Sequence, residues 1–322
     1  MEYREFGKSG LKVSTLGLGT WPFGNNKAAE YSGIDEKEAV KVIQKYIELG
    51  GNFIDTARGY GERSERLIGQ TVKQYYDRDK VIIATKSKAG LTRESIKNLR
   101  PDLEESLKTL QMDYVDLFQL HLPPNEPDLM NEVLDVMSKF KEEGKIRLIG
   151  ASIKGNNVTN ETEKLCRQYI NSGRVDAIQV VYSILRQKLS GVIKEAKEKG
   201  VGVVVRTVLE SGLLTGAFKP GYQFSGVDQR RNYSKENLEY ILNAVEQIGK
   251  DINLKDPYKT LAQLAIKFSL QAEGISTLII GAQEEWHVDS NLETVSLPDI
   301  DPEIMKYLIN NYSKITEKAN YS

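Results

Sequence analysis

Four side chains that can take part in proton transfer stand at or near the ends of short apolar stretches. Asp55 closes the stretch NFID at 52–55, and Tyr60 follows five residues later. Lys86 closes the next apolar stretch, and His121, one of only 2 histidines, closes the one after that. Each residue alone has an ordinary explanation, since an aspartate at a strand end usually caps a turn and a lysine is usually solvated. Their recurrence at successive strand ends favours a shared site.

Together these residue types suit proton transfer to a carbonyl oxygen. A tyrosine hydroxyl, with a pKa near ~10, is a weak acid at neutral pH. A neighbouring Lys86 ammonium favours the phenolate and is expected to lower the pKa of Tyr60, while Asp55 holds the lysine. His121 can hydrogen-bond the substrate oxygen. None of these groups can carry a hydride, so the chemistry requires a cofactor.

Eight short apolar runs alternate with amphipathic helical stretches along the chain. The runs cover residues 15–18, 52–55, 81–86, 114–121, 146–152, 177–181, 201–206 and 277–280. They are apolar nearly throughout, as strands covered on both faces are. Asp35 and Glu38 form a capping-box pattern at the start of one helix. Helices end shortly before the next strand at Gly50, Gly144, Gly173 and Gly200. This pattern predicts an α/β fold, the (β/α)8 TIM barrel with eight parallel strands, formed by residues 1–322 as a single domain.

In such a barrel the carboxyl ends of the strands form the reactive face. Asp55, Lys86 and His121 end the second, third and fourth predicted strands. Ser152 ends the fifth strand and Arg206 the seventh. The predicted fold therefore brings these side chains to one rim.

Three segments lie outside the minimal repeat. Residues 1–14 are predicted to form a hairpin that turns at 8–10 beneath the barrel. Residues 209–233 form a long Gly-containing loop, and loops of that length are usually functional or disordered. Residues 302–313 are predicted to form an additional C-terminal helix.

The composition excludes several classes of partner. Lysine and arginine total 44 and aspartate and glutamate total 45, so no charge excess indicates nucleic-acid or membrane-surface binding. The start MEYREFGKSG is charged where a signal peptide is apolar, and no apolar run is long enough to span a bilayer. The single Cys166 excludes an internal disulfide and agrees with a reducing compartment. We expect a cytoplasmic protein that acts on a small molecule, and the oligomeric state stays open.

Five stretches of the sequence resemble the aldo-keto reductase superfamily. They are GLGTW at 17–21, NFIDTARGYG at 52–61, ATKS at 84–87, DYVDLFQLH at 113–121 and IQVVYSIL at 178–185. The resemblance implies an NAD(P)H-dependent carbonyl reductase, or a dehydrogenase of the matching alcohol or sugar. It also implies that Asp55, Tyr60, Lys86 and His121 are a catalytic tetrad, with Tyr60 as general acid or base. Trp21, Tyr60 and His121 would line the substrate pocket, and no metal is implied.

The resemblance also implies a set of cofactor contacts. Ser152 and Gln179 match the residues that bind the nicotinamide carboxamide, while Ile153 replaces the asparagine usual in the family. Arg206 stands where many members stack an aromatic ring on the nicotinamide, and a planar guanidinium can also stack. The loop 209–216 resembles the segment that closes over the pyrophosphate through its backbone N–H groups. The implied cofactor-binding residues outside the eighth strand are Gly19, Thr20, Ser152, Gln179, Arg206, Leu209, Ser211 and Leu214.

The eighth strand departs most from the family pattern. The segment 279–291 resembles the part that binds the adenosine phosphate, which implies contacts from Gly281, Ala282, Gln283, His287 and Asn291. Gln283 replaces a basic residue, and His287 stands where relatives have glutamine or arginine. We therefore expect NADP(H) to be slightly preferred, NAD(H) to be usable, and the preference to grow as His287 becomes protonated toward about pH 6.

Three other functions compete with carbonyl reduction. A Schiff-base lyase would also use a lysine at a strand end, such as Lys86. A metal hydrolase requires a ligand cluster that His121 and His287 do not complete in the sequence. A cofactor-binding regulatory barrel, like the beta subunits of potassium channels, would bind the nucleotide with little turnover.

Overall fold

Eight parallel strands form a closed barrel at the centre of the molecule. The computed structural model describes residues 1–25, 33–153, 157–226, 228–252, 257–313 and 315. The barrel strands are β3 (Leu16–Gly19), β4 (Phe53–Asp55), β5 (Ile82–Ser87), β6 (Val115–His121), β7 (Ile146–Ser152), β8 (Ala177–Val181), β9 (Gly202–Arg206) and β10 (Thr277–Gly281). They pair in chain order, and β10 closes the barrel against β3. The (β/α)8 prediction is confirmed, with strand boundaries shifted by at most one residue.

The strands are almost entirely buried because side chains pack on both of their faces. One set of side chains packs outward against the helices. The other fills the barrel interior and comprises Phe53, Ile82, Ala84, Leu117, Leu148, Ala177 and Val204. Two buried layers explain why these strands show continuous apolar runs in the sequence.

Ten helices surround the barrel in the described part of the chain. They are α1 (Glu36–Glu48), α2 (Glu62–Tyr75), α3 (Leu99–Leu110), α4 (Pro127–Glu142), α5 (Asn160–Asn171), α6 (Ser190–Glu198), α7 (Lys235–Ile252), α8 (Leu261–Leu270), α9 (Glu285–Ser296) and α10 (Pro302–Tyr312). The Asp35 side chain caps α1 by accepting from the Glu38 N–H at 2.8 Å. The glycines predicted to end helices all have positive φ angles, from 66° to 89°. The additional C-terminal helix is confirmed as α10.

The N-terminal hairpin closes the bottom of the barrel, as predicted. Strands β1 (Tyr3–Glu5) and β2 (Lys12–Ser14) pair antiparallel, and the Phe6 N–H bonds to the Leu11 carbonyl oxygen at 2.8 Å. The Phe6 side chain is fully buried in the interior cluster, where its ring lies 5.9 Å from that of Phe53. The hairpin is tied to the barrel by the Lys8 N–H, which donates to the Gly200 carbonyl oxygen at 2.8 Å.

The described residues of the long segment 209–233 form a loop with its own side-chain contacts, and Val227 lies outside the described residues. Short 3-10 helices, Glu210–Thr215 and Gln229–Asn232, stand at its two ends. Between them Phe218, Tyr222 and Phe224 form an aromatic cluster with centroid separations of 4.9–5.0 Å. The Arg230 guanidinium stacks over Phe218 and Phe224 and pairs with Asp228 at 2.7 Å. These contacts give the loop a small core of its own.

Candidate active site

The four proton-transfer side chains converge at the carboxyl end of the barrel. Asp55 is the last residue of β4, Lys86 lies in β5, and His121 is the last residue of β6. Tyr60 ends a short 3-10 helix, Arg58–Tyr60, in the loop after β4. Because parallel strands end at the same rim, Tyr60 and His121, which are 61 positions apart in the sequence, become neighbours there.

Lys86 is the centre of the site. Its fully buried ammonium donates to Asp55 Oδ1 at 2.6 Å, to the Thr56 carbonyl oxygen at 2.7 Å and to the Tyr60 hydroxyl at 3.3 Å. Burial acts to lower the pKa of Lys86, but Asp55 and Tyr60 outweigh it and the pKa is raised. The lysine is therefore a fixed cation with all three of its donors used.

The second oxygen of Asp55 is held by two amides from the barrel interior. Gln179 Nε2 donates to Asp55 Oδ2 at 2.8 Å, and Gln119 Nε2 donates to it at 3.4 Å. Ser152 Oγ donates to Gln179 Oε1 at 3.1 Å, which fixes that amide in turn. The sequence prediction included Gln179 and Ser152 but missed Gln119. The signal was present, because Gln119 is a buried polar residue between apolar Phe118 and Leu120 in β6.

Space for Gln119 comes from Gly150 on the neighbouring strand. A Cβ atom at Gly150 would lie 2.7 Å from Gln119 Cγ, too close for a real contact. The pairing of Gln119 with Gly150 in the β6–β7 register therefore lets the long amide side chain lie inside the barrel.

Tyr60 is more strongly protonated than the sequence predicts. Burial raises the pKa of its hydroxyl and outweighs the Lys86 ammonium, which lowers it. The expectation of a lowered pKa is therefore wrong for this arrangement. A protonated hydroxyl suits Tyr60 to donate a proton, and the nearby cation would stabilise the phenolate left behind.

His121 and Trp21 lie around the Tyr60 ring. Trp21 meets Tyr60 edge-on at 4.8 Å between centroids, and His121 does so at 6.3 Å. Burial, followed by the charges of Lys86, Lys88 and Arg206, lowers the pKa of His121 to about 3. The imidazole is therefore neutral at physiological pH, with one nitrogen that donates and one that accepts.

Three buried polar atoms of this region have no hydrogen-bond partner among the described residues. They are Trp21 Nε1, His121 Nδ1 and Gln119 Oε1. Buried polar atoms are normally satisfied, so unpartnered ones indicate a place where a ligand or water completes the contacts. The donor and acceptor set fits a polar organic ligand at the rim.

Gly19 and Thr20 stand at the end of β3, next to the Trp21 side chain that contacts Tyr60. A Cβ at Gly19 would lie 2.5 Å from Ile279 Cγ2, so only glycine permits the close approach of β3 and β10. The Thr20 hydroxyl donates to the Asp55 carbonyl oxygen at 2.9 Å and lies 2.8 Å from Ser64 Oγ. The Thr20 side chain therefore supports the site from behind.

The segment after β9 has an unusual backbone. Thr207, Glu210 and Ser211 have φ angles of 65°, 48° and 54°, a region that non-glycine residues rarely adopt. A buried ion pair holds this conformation, since Glu210 Oε2 lies 2.8 Å from Arg186 NH2 and Glu210 also accepts from Ser183. The sequence prediction missed this pair, which joins the loops after β8 and β9.

The residues of this segment that were predicted to contact the cofactor differ in their exposure to solvent. Arg206 is half-buried and donates to the Ile153 carbonyl oxygen at 3.1 Å. Ser211 is exposed, and its carbonyl oxygen accepts from Arg230 at 2.9 Å. The half-buried Leu209 accepts from the backbone N–H of Leu214 at 3.1 Å, and the Leu214 side chain is fully buried in the core. Leu214 therefore stabilises the loop and has no free backbone donor to offer a nucleotide.

The start of α9 carries the predicted adenosine contacts. Gly281 is exposed and Ala282 is buried, while the Gln283 N–H donates to His287 Nδ1 at 3.3 Å. Burial lowers the pKa of His287, opposed by Glu284, so the imidazole is neutral near pH 7. Asn291 is half-buried one turn further along the helix. Glu284 and Glu285 are both exposed at the first turn.

Neither a metal-binding cluster nor a membrane-spanning helix is found among the described residues. No group of three or more histidine, cysteine or acidic residues that could hold a metal ion occurs in the part of the chain that the structure describes. Over the same residues, no helix is long and apolar enough to cross a bilayer.

Comparison with known proteins identifies the family. A family model described as the aldo/keto reductase family matches residues 15–310. The chain belongs to this family. It is therefore an aldo-keto reductase, an oxidoreductase of carbonyl compounds, and the family uses nicotinamide cofactors.

Individual relatives cover almost the whole chain. The aldo-keto reductase YhdN of Bacillus subtilis is 31% identical over 303 residues, which are 90% of this chain and 87% of the relative. The NADH-specific methylglyoxal reductase of Escherichia coli is 30% identical over 327 residues, covering 93% and 96%. The holo form of an aldo-keto reductase from Bacillus halodurans superposes with a TM-score of 0.75 at 26% identity, covering 96% of each chain.

Proposed function

We propose that this aldo-keto reductase reduces aldehydes or ketones, or oxidises the matching alcohols or sugars, with Tyr60 as the general acid or base. The observation that carries the proposal is the 3.3 Å contact between the Tyr60 hydroxyl and the buried Lys86 ammonium. It joins a protonated acid to a cation that stabilises its conjugate base.

The residues divide the proton transfer between them. In reduction Tyr60 donates its proton to the substrate oxygen, and Lys86 stabilises the phenolate. Asp55 keeps Lys86 charged and oriented, while Gln179 and Gln119 hold Asp55. Neutral His121 donates a hydrogen bond that orients the carbonyl. In oxidation the same contacts operate with Tyr60 as the base.

A nicotinamide cofactor supplies or accepts the hydride when bound. Ser152 and Gln179 would hold its carboxamide at the end of β7 and β8, and Arg206 would stack beside the ring. The backbone of the segment 209–212 would approach the pyrophosphate. The α9 start would hold the adenosine end through Gln283, His287 and Asn291.

We propose that the protein uses NAD(H) in preference to NADP(H), whereas the sequence analysis expects NADP(H) to be slightly preferred. A 2′-phosphate carries nearly two negative charges at neutral pH and would meet Glu284 and Glu285 at the first turn of α9. Burial lowers the pKa of His287, so this imidazole is a weaker partner for the phosphate than the sequence expectation assumed, and the expected gain in NADP(H) affinity toward about pH 6 is smaller. Lys45 could attract the 2′-phosphate, but its ammonium pairs with Asp289 Oδ1 at 3.1 Å. The name of the NADH-specific relative from Escherichia coli agrees with this preference.

The state of Lys86 opposes the Schiff-base alternative. A lysine nucleophile must be neutral, whereas the contacts of Lys86 raise its pKa and use its donors. The regulatory-barrel alternative is decided by turnover, because a binding subunit would retain the nucleotide and reduce little substrate.

Replacement of Tyr60 tests the proposal directly. Tyr60→Phe removes only the hydroxyl, so turnover should fall by about 10²–10⁴-fold while nucleotide dissociation constants stay close to wild type. The measurement is nicotinamide absorbance with a panel of aldehydes and ketones, together with fluorescence titration of NADH and NADPH. Tyr3→Phe on the N-terminal hairpin is the matched control. Near-normal turnover of Tyr60→Phe would contradict the assigned role.

A further inference from the structure

A second lysine lies beside the reaction centre. Lys88 follows β5, two residues after Lys86, and its side chain is exposed. A Cβ atom placed at Gly59 would lie 3.8 Å from Lys88 Cε and 3.9 Å from His121 Nδ1. Lys88, Gly59 and His121 therefore border the same small space next to Tyr60.

The charges around this space are almost all positive. Lys88 makes no ion pair or hydrogen bond with any described residue. Lys86, Lys88 and Arg206 are the charged groups that act on His121, and no carboxylate acts on it to a comparable extent. Three buried acidic groups on nearby elements have partners of their own. Asp55 pairs with Lys86, Glu65 pairs with Arg58, and Glu210 pairs with Arg186.

An uncompensated cation at the mouth of a site attracts anionic ligands. Lys86 cannot serve in this way, because its ammonium is fully buried and bonded on all sides. Lys88 differs in having an exposed head group on a flexible stem, which can follow an anion of either planar or tetrahedral shape. The two lysines of the sequence TKSK would thus have separate tasks.

We propose that Lys88 forms an anion subsite, and that the preferred substrates are carbonyl compounds that carry a carboxylate or phosphate near the reacting group. The inference rests on the proposed carbonyl reduction and adds the substrate class to it. Neutral His121 orients the carbonyl, while Lys88 binds the anionic group beyond Gly59.

The test compares anionic and neutral members of matched substrate pairs. Succinic semialdehyde is compared with its methyl ester, and glyceraldehyde phosphate with glyceraldehyde, using kcat and KM with NADH. Wild type should favour the anionic member by roughly 1.5- to fivefold in kcat/KM, the range for one exposed charge pair. The pair with the larger advantage shows whether the natural anion is a carboxylate or a phosphate.

Variants assign that advantage to Lys88. Lys88→Gln should remove most of the advantage through KM, and Lys88→Glu should reverse it. Lys12→Gln removes the same charge from β2 at the opposite end of the barrel and should keep the advantage. About 1 M salt, with a screening length of about 3 Å, should reduce the wild-type advantage.

The outcomes separate the two proposals. If neutral and anionic members are reduced equally well, and Lys88→Gln changes nothing, the anion subsite is overturned while carbonyl reduction stands. If the advantage is present but Lys12→Gln lowers it as much as Lys88→Gln does, the effect comes from net charge and the subsite is also overturned. No turnover with any of the four probes overturns the substrate class proposed for Lys88, while carbonyl reduction itself is decided by the panel of aldehydes and ketones.

Discussion

The two ends of the barrel are built from the same strands, but the side chains at the amino end serve stability and those at the carboxyl end serve chemistry. At the amino end, Phe6 fills the interior and several charged groups are paired. Asp116, for example, accepts from Arg78 and Arg147, each at 2.8 Å, and from the Ile83 N–H at 2.9 Å. At the carboxyl end, a buried ion pair and three unpartnered polar atoms lie close together.

This difference separates stability from function within one fold. An apolar plug contributes to stability through the area that it removes from water. A buried ion pair contributes little net stability, because removing the charges from water offsets their attraction. The carboxyl end therefore retains Asp55 and Lys86 for the chemistry they allow. Substitutions at the two ends should consequently affect different measured quantities.

Lys86→Met should give the largest effect, and it should be on turnover. It removes the cation that stabilises the Tyr60 phenolate, so turnover should fall on the order of 10²–10⁴-fold. Asp55→Asn should be milder, because Lys86 stays in place, and Lys12→Met is the control. Carbonyl reduction is measured alongside circular dichroism to verify folding. If Asp55→Asn were the more damaging variant, the roles assigned to the pair would be wrong.

Phe6→Ala should have the opposite profile. It leaves a cavity in the interior cluster, so the free energy of unfolding should fall by about 3–5 kcal/mol. Turnover below the melting transition should stay close to wild type, since the plug lies at the far end of the barrel. Denaturant unfolding and steady-state rates measure the two quantities. Phe6→Leu keeps an apolar plug and should lose less stability. A large loss of turnover in folded Phe6→Ala would contradict the separation of the two ends.

Gln283→Arg should shift the cofactor preference at the start of α9. A guanidinium adds a charge-assisted hydrogen bond to a 2′-phosphate, which strengthens NADPH binding by roughly ten- to a hundredfold. NADH binding should change far less. Titration by fluorescence quenching at about pH 6 and about pH 8 should give a wild-type preference that changes little, because burial lowers the pKa of His287. A wild-type preference for NADPH that increases at the lower pH would contradict this expectation. It would support protonated His287 as a contact of the 2′-phosphate.

The smallest expected effect is a pH dependence of stability due to His121. The folded pKa is about 3 and the unfolded value is near 6.5, so below ~6.5 the unfolded chain binds a proton that the folded chain does not. The free energy of unfolding should therefore fall as pH decreases from ~6.5 toward ~3. Relative to His121→Gln, wild type should lose about 1 kcal/mol more between pH ~7.5 and pH ~5.5. Parallel pH profiles of the two proteins would show that His121 titrates normally.

The sequence alone determined the elements and the rim positions. Strand periodicity, helix caps and terminal glycines are local properties, so they located the barrel strands, the hairpin and α10 from short stretches. The rule that parallel strands end at one face then placed Asp55, Lys86 and His121 together. The extent of the domain over residues 1–322 and the roles of these residues stay predictions.

Only the tertiary structure decided how the side chains are partnered. The Gln179–Asp55 bond joins residues 124 positions apart, and the Arg186–Glu210 pair joins two separate loops. The same is true of Gln119, which bonds Asp55 only because Gly150 on the next strand leaves room for it. Burial likewise reversed the expected direction of the Tyr60 pKa shift and placed Leu214 in the core. Such contacts and desolvation depend on barrel closure, which brings distant residues together and excludes water from between them.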